Sequence, residues 1–153
     1  MRSKLPSKNS LLFAAILIVW ISLFLAPFAL AESGDDPRTC SNKTLSGDYG
    51  MLIEGTILGP NLPLRSVSMA HYDGAGNLTE VSHVVVAGLP PAEAWKADTA
   101  TYTVNVDCTG VVTFNTPPGA PPLVVYFVVA KHGMEILGLV EGAAITLTAH
   151  KVD

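Results

Sequence analysis

Short runs of β-branched and aromatic residues, each closed by a turn signal, make up this chain from residue 47 onward. Glycine, proline, aspartate and asparagine separate the runs, and no helical periodicity of useful length lies between them. This pattern is typical of an all-β meander, in which strands that follow one another in sequence pair with one another. It predicts eight strands, at residues 49–57, 64–72, 77–87, 100–105, 111–115, 123–130, 134–141 and 144–151.

The predicted strands are joined mostly by short reversals. Two longer loops, 89–98 and 117–122, contain prolines and lie outside the sheet, because proline cannot donate to a ladder of hydrogen bonds. Eight such strands remove their exposed edges by closing into a barrel. We therefore predict a small antiparallel eight-stranded meander β-barrel over residues 47–153, with a β-sandwich as the alternative. The interior of such a barrel is filled by side chains or holds one small ligand.

The first 31 residues have the three parts of a secretory signal peptide. Three basic residues within the first eight positions precede an uncharged, apolar stretch that ends in Ala29-Leu30-Ala31. The alternative is a membrane anchor, since about 20 apolar residues span a bilayer. Pro27 and the acidic residues after Ala31 favour cleavage. We expect a secreted or periplasmic protein without a stable membrane anchor, in which residues 32–46 form an irregular lead-in to the barrel.

The charge balance excludes one class of partner. Three of the nine Lys and Arg residues lie in the first eight positions, so six remain after cleavage against 13 Asp and Glu, a net charge of −7. A nucleic-acid-binding protein needs clustered cations to displace the counterions of phosphate. The same acidity argues against adhesion to anionic membranes.

Both cysteines, Cys40 and Cys108, lie in the exported part of the chain. An even number of cysteines in an exported protein predicts one disulfide. The alternative is a pair of free thiols or half of a metal site, but the sequence has no Cys-x-x-Cys and no tight histidine cluster. We therefore expect no bound metal and no cofactor.

The first hairpin can be put in register from its turn. Residues 73–77 tolerate positive φ and predict a reversal centred on Ala75, which sets Tyr72 opposite Leu78 and Val67 opposite His83. One face then carries Val67, Met69, Val81 and His83, and the other carries Ser66, Ser68, Glu80 and Ser82. In a half-buried pair the apolar face is the inner one, so we expect the first set inside. His83 is then a polar anchor for a bound ligand or a general base in a dry cavity. The alternative is a histidine that a hydroxyl or a backbone carbonyl satisfies, or one near the barrel mouth.

A second hairpin centred on Cys108 sets Tyr102 opposite Phe114 and Val104 opposite Val112. Tyr102 then presents its hydroxyl to a cavity or is an ordinary core residue. The candidate ligand-binding residues are accordingly Met69, Val81, His83, Tyr102 and Tyr126. No catalytic residue can be assigned, because the chain lacks a nucleophile elbow, a phosphate loop and a dinucleotide fingerprint.

The sixth and seventh predicted strands are apolar on both faces. One face can fill the barrel, and the other would expose large aliphatic groups, which monomers seldom leave open to water. Either the lead-in, residues 32–46, or a second copy of the chain covers this face. The lead-in is polar, with Leu45 as its one large apolar residue, so a second copy is favoured and we expect a homo-oligomer.

A resemblance to other proteins rests on three segments: Cys40-x4-Leu45-x-Gly47-x-Tyr49-Gly50, Asp73-Gly74-x-Gly76-Asn77 and Tyr102-Thr103-Val104-Asn105-x-Asp107-Cys108-Thr109-Gly110. Together they resemble a group of small exported bacterial proteins of unknown function. In expected fold, that group is similar to the allene oxide cyclase and dirigent-like β-barrels. The resemblance implies an apolar pocket and frequent trimers, but no cyclase motif matches positions of this chain, so it implies no activity.

Three functions compete on these grounds. The first is a binding module whose barrel holds a small apolar or amphipathic molecule. The second is an enzyme, such as a cyclase or isomerase that shapes a substrate inside the barrel. The third is a structural or surface-interaction protein with a filled barrel. The high aliphatic content and the lack of catalytic motifs favour the first, and an open interior of about 300 Å³ or more would count against the third.

Overall fold

The computed structural model describes residues 39–152, which form a closed, all-β barrel of eight antiparallel strands in sequence order. The strands are β1 (Ser46–Ile57), β2 (Leu62–Asp73), β3 (Asn77–Val86), β4 (Lys96–Val104), β5 (Thr109–Phe114), β6 (Leu123–Ala130), β7 (Glu135–Val140) and β8 (Ala144–Lys151). The barrel closes where β1 pairs with β8, from Tyr49 opposite Lys151 to Thr56 opposite Ala144. The predicted barrel is confirmed, and the sandwich alternative is not the fold.

The predicted signal peptide, residues 1–31, lies outside the described residues, as do residues 32–38 of the predicted lead-in. Residues 39–46 of the lead-in are described; they contain a single 3₁₀ turn, Asn42–Thr44, and Ser46 already begins β1. Within residues 39–152, no helix has the length and apolar character needed to cross a membrane.

The two ends of the barrel differ. The β2–β3, β4–β5 and β6–β7 turns gather at one end, together with the lead-in, and we call this the closed end. The side chains of Leu45, Tyr49, Leu78 and Ile136 are almost fully buried there. The other four connections gather at the opposite end, which we call the mouth; they comprise residues 58–61, 87–95, 115–122 and 141–143.

The predicted disulfide is present and lies at the closed end. It joins Cys40 to Cys108, which are 68 residues apart in the sequence and have a Cα–Cα distance of 4.9 Å. The backbone N–H of Cys40 also donates to the carbonyl of Val106 at 3.2 Å. The bond therefore holds the lead-in against the tip of the β4–β5 hairpin.

The register of the first hairpin is confirmed, with Tyr72 opposite Leu78 and Val67 opposite His83. The Asp73 carboxylate organises the turn by accepting the N–H groups of Ala75, Gly76 and Asn77 at 2.7 to 2.9 Å. This is why the turn residues alone were enough to place the two strands.

The register of the second hairpin is wrong by two residues. Tyr102 lies opposite Val112 rather than Phe114, and Val104 lies opposite Gly110 rather than Val112. The turn is tighter than predicted because Cys108 adopts a left-handed backbone with φ of 68° and donates its N–H to Asn105. A non-glycine residue seldom takes this conformation, so the sequence did not indicate it. The shift is even, and the predicted faces of these strands are therefore retained.

Candidate functional site

The half of the barrel nearest the mouth is not filled. It contains a cavity of about 630 Å³, bordered at the mouth by Lys96, Thr116 and Pro117. Ligand sites in proteins usually have volumes between about 300 and 1,000 Å³. The interior is therefore large enough for one small molecule.

Aromatic side chains form the base of this cavity. Tyr72 lines it, and its ring packs edge-on against Tyr49 and Tyr102, with ring centroids 5.1 and 5.0 Å apart. Tyr49 donates its hydroxyl to the carbonyl of Gly133 at 2.5 Å, and Tyr102 donates to the carbonyl of Leu45 at 2.9 Å. The base is a packed layer tied to the closed end.

The cavity wall is apolar over most of the barrel. Strands β1 and β5 to β8 contribute aliphatic and aromatic groups, namely Met51, Ile53, Val112, Phe114, Leu123, Val125, Val140, Ile145 and Leu147. A molecule that packed against this wall would gain roughly 0.8 kcal/mol for each methylene group it removed from water.

The remaining wall, on β2, β3 and β4, carries a cluster of polar side chains beside the apolar Leu64 and Val84. Ser66, Glu80 and Ser82 line the cavity, and Ser68 shares their inner face; all four are between 4 and 7% exposed. The strand register explains the grouping, because Ser68 lies opposite Ser82 and Glu80 lies opposite Asp98. The cavity is therefore amphipathic, with one polar side.

Three atoms of this polar wall are buried without a partner. Ser66 Oγ, Ser68 Oγ and Glu80 Oε2 have no hydrogen-bond partner of good geometry within residues 39–152, although the Ser68 hydroxyl lies close enough to the Glu80 carboxyl to influence its pKa. An unpaired buried polar group costs about 1–3 kcal/mol, and most buried polar groups in native proteins are paired. These three atoms are where a bound molecule would find hydrogen-bonding partners.

The electrostatics of the wall centre on Glu80. Burial is the main cause that raises the pKa of its carboxyl above the usual value, and the nearby Asp98 carboxylate raises it further. The Ser68 hydroxyl and the Lys96 ammonium act in the opposite direction. The pKa of Tyr72 is also raised, first by burial and then by the negative charge of Glu80. The phenol is neutral, so Glu80 is the buried ionisable group of the cavity, and Asp98 and Lys96 are the other two that line it.

At the mouth, Lys96 Nζ pairs with Asp98 Oδ1 at 2.6 Å. Within residues 39–152, no group of three or more His, Cys, Asp and Glu side chains is arranged to hold a metal ion.

The predicted inner face of the first hairpin is wrong. Val67, Met69 and Val81 lie on the outer surface, each at least 43% exposed, and His83 is on that surface too. His83 contacts the β3–β4 connection, with Nδ1 2.6 Å from the carbonyl oxygen of Ala94 and its ring 5.9 Å from that of Trp95. The polar set faces inward instead, because the interior it faces is an open cavity rather than a packed core.

The other two candidates also lie away from the cavity. Tyr126 is 54% exposed on the outer surface of β6. Tyr102 is buried, as an inner residue should be, but within the base it packs behind Tyr72 without lining the cavity, and its hydroxyl holds the lead-in. Met69 and Val81 lie opposite each other beside one outer pocket, but the five candidates Met69, Val81, His83, Tyr102 and Tyr126 do not meet at a common site. A binding role for them stays a prediction.

The residues that form the polar wall were predicted to share one face of the hairpin, which is correct. That face was predicted to be the outer one, which is wrong. One signal could have corrected this. Tyr72 and Leu78, a large apolar pair, have the same parity along their strands as Ser68 and Glu80, so all four must share a face. Since Tyr72 and Leu78 are buried, that face is the inner one.

Comparison with protein-family models, with curated proteins and with solved structures found no match to this chain. The barrel that the sequence resemblance implied is present, whereas the resemblance to exported bacterial proteins stays a prediction. The fold and site define a small, disulfide-linked β-barrel with an amphipathic interior cavity.

Proposed function

We propose that this protein is an exported carrier or receptor that binds one small amphipathic molecule inside its barrel. The observation that carries the proposal is the set of unpartnered polar atoms, on Ser66, Ser68 and Glu80, along one side of an otherwise apolar interior. A barrel that served only as a scaffold would be expected to fill its interior with side chains.

The two sides of the cavity set the chemistry of the molecule. Its apolar part would pack against the wall formed by β1 and β5 to β8, and its polar group would turn toward β2 and β3. The polar side fixes orientation and the apolar side supplies most of the affinity, as in other small-molecule sites. The disulfide supports the exported setting, because such bonds persist in oxidising compartments.

Native mass spectrometry of the protein purified from its own host tests this proposal. We expect a species heavier than the polypeptide by the mass of one small molecule, which organic solvent extracts. Protein that carries nothing, and that also fails to bind the apolar probe N-phenyl-1-naphthylamine, would contradict the proposal. A bound molecule that is released in rearranged form would favour the cyclase or isomerase alternative instead.

Two neighbouring residues of β6 offer a matched pair of variants. Val125 is buried and lines the cavity, whereas Tyr126 is exposed on the outer surface. Val125→Trp places a large ring in the cavity and should abolish binding, while Tyr126→Trp should leave it unchanged. Equal binding by both variants would place the ligand outside the barrel and overturn the proposal.

A further inference from the structure

The buried carboxyl of Glu80 is the feature of the cavity that needs most explanation. It lies in the middle of β3, is 6% exposed, and its Oε2 has no hydrogen-bond partner within residues 39–152. Taking a carboxylate out of water is costly unless a cation or several donors meet it. A chain that needed only a polar spot for a neutral ligand could have used serine, as it does at Ser66 and Ser82.

The protein supplies no free cation to this carboxyl. Among the described residues that line the cavity, Lys96 is the one cation, and its Nζ is paired with Asp98 at the mouth. The lysine side chain is also 66% exposed, so water solvates most of it. The polar wall therefore holds two carboxyl groups and a single ammonium. Its excess charge is negative when both acids are ionised.

The ligand can supply the missing positive charge. We propose that the molecule bound in the barrel is an organic cation, an amine with an apolar body, whose ammonium group pairs with Glu80. This inference rests on the proposed function and narrows it to one class of ligand. The remaining N–H groups of an ammonium need acceptors, and Ser68 Oγ is suitably placed, diagonal to Glu80 in the β2–β3 register.

Anionic amphiphiles are disfavoured by the same arrangement. A fatty carboxylate would bring a second negative charge against Glu80 or lie near Asp98, which sits opposite Glu80 across β3 and β4. Like charges held together in a low-dielectric interior repel strongly. The cavity thus discriminates by the charge of the head group, while the apolar wall accepts any chain that fits.

Binding should depend on pH in a defined direction. An alkylammonium stays charged below about pH 10, so its affinity depends on the state of Glu80. The groups that face Glu80 are Asp98 and Lys96 on β4 and Ser68 and Tyr72 on β2. Burial raises the pKa of Glu80 in the empty barrel, so the affinity for the amine should fall as pH drops through that pKa. The affinity for a neutral ligand should not change with it.

Calorimetric titration with three ligands of one chain length tests the inference: decylamine, decanol and decanoate, at neutral pH. We expect decylammonium to bind about ten times more tightly than decanol, or better, and decanoate to bind most weakly. Glu80→Gln should weaken decylammonium binding by about 10- to 100-fold and should weaken decanol binding much less, because the amide still bonds a hydroxyl but cannot pair with an ammonium charge. Ser68→Ala should act in the same direction with a smaller effect.

Glu54→Gln is the matched control. It removes one negative charge from the outer surface of β1, where the Glu54 carboxylate pairs with Arg65 at 3.3 Å, and should not change decylammonium binding. Equal losses in Glu80→Gln and Glu54→Gln would mean that bulk charge attracts the amine, and would overturn the inference. Thermal melting curves establish that each variant is folded before titration.

The outcomes separate this inference from the proposed function. If decanol and decylammonium bind equally to the wild-type protein, the barrel is a binding protein but the cationic ligand class is wrong. If decanoate binds most tightly, the assignment of Glu80 is reversed and the inference is also wrong. If none of the three binds, and the host-purified protein carries nothing, the proposed function itself fails.

Discussion

The hydroxyl of Tyr102 donates to the backbone carbonyl of Leu45 at 2.9 Å and lies 3.2 Å from that of Asn42. Asn42 also makes a side-chain bond to β4, in which its Oδ1 accepts the N–H of Val104 at 2.7 Å. These bonds join the inner face of β4 to the lead-in and hold the buried Leu45 in the closed end of the barrel.

Tyr102→Phe should therefore destabilise the fold. The substitution leaves the Leu45 carbonyl buried without its donor, which costs about 1–3 kcal/mol of unfolding free energy. Tyr126→Phe is the control. Because Tyr126 is exposed, removing its hydroxyl should lower the unfolding free energy by less than about 0.5 kcal/mol. Urea unfolding followed by circular dichroism measures both variants. Equal stabilities would show that the Tyr102 hydroxyl does not hold the lead-in.

The Cys40–Cys108 disulfide should contribute more to the unfolding free energy than the Tyr102 hydroxyl does. It closes a loop of 68 residues, and replacing both cysteines by serine should lower the unfolding free energy by about 2–5 kcal/mol. The variant is compared with wild-type protein in urea, with and without reductant. Reductant should lower the stability of the wild type alone. A wild-type protein indifferent to reductant would contradict the prediction.

Asp73 should stabilise the first hairpin in a pH-dependent manner. Hydrogen bonds, first from the Asn77 side chain and then from backbone N–H groups, lower the pKa of its carboxyl from 3.8 to about 2. A depressed carboxyl pKa contributes stability that is present above about pH 4 and lost as pH falls through about 2. Carbon NMR titration of the Asp73 carboxyl should show a midpoint near 2. The stability difference between wild type and Asp73→Asn should shrink over the same range, and a midpoint near 3.8 would refute the assignment.

The first hairpin and the eight strands were predictable because their signals are local. A carboxylate and two glycines within residues 73–77 specify the turn, and β-branched runs specify the strands on either side. The register of the second hairpin was not predictable, because a cysteine gives no indication in the sequence that its backbone will be left-handed, as it is at Cys108. That conformation is held by tertiary bonds, among them the disulfide and the N–H of Val129, which donates to the Cys108 carbonyl at 2.8 Å.

The site was predictable only in part, because alternation separates two faces without saying which one is inside. Val67 and Met69 are the more hydrophobic set, and a half-buried sheet would have turned them inward. The closed barrel turned Ser66 and Ser68 inward instead. In a closed barrel, one face of every strand points into the interior. The buried Tyr49 on β1 and Tyr72 on β2 therefore identify the inner face of their own strands and of the strands beside them.

Export through a cleaved signal peptide remains a prediction about residues outside those described. We expect the mature protein to begin at Glu32, because Ala29-Leu30-Ala31 follows the apolar stretch. N-terminal sequencing of material exported by the host identifies the first residue. Retention of residues before Ala29 would revive the membrane-anchor alternative.

Self-association is expected from the outer surface of β6 and β7. Tyr126, Val128, Leu137 and Leu139 are each at least 43% exposed, and the register brings them together as neighbouring pairs. A second apolar patch lies on β1 to β3, formed by Leu52, Val67, Met69 and Val81. Because each patch can cover the other on a second copy, we expect a homo-oligomer.

Light scattering coupled to size exclusion, at micromolar concentration, measures the assembly state. Replacing both Leu137 and Leu139 by glutamate should yield monomers that remain folded, since neither side chain faces the interior. Thr101→Glu is a control for added charge, because Thr101 is exposed on the outer surface of β4 and its cross-strand neighbours, Asn77 and Thr113, belong to neither patch. A wild-type protein of monomer mass would rule out the oligomer.

Both ends of the described chain lie at the closed end of the barrel. The lead-in is fixed there by Cys40, and the other end returns beside it, where the N–H of Val152 donates to the carbonyl of Asp48 at 2.8 Å. A tag, a fusion partner or a sensor surface joined directly at either end of the described chain would therefore sit behind the base. The mouth would point away from the attachment, so an immobilised barrel would keep its cavity open to solvent.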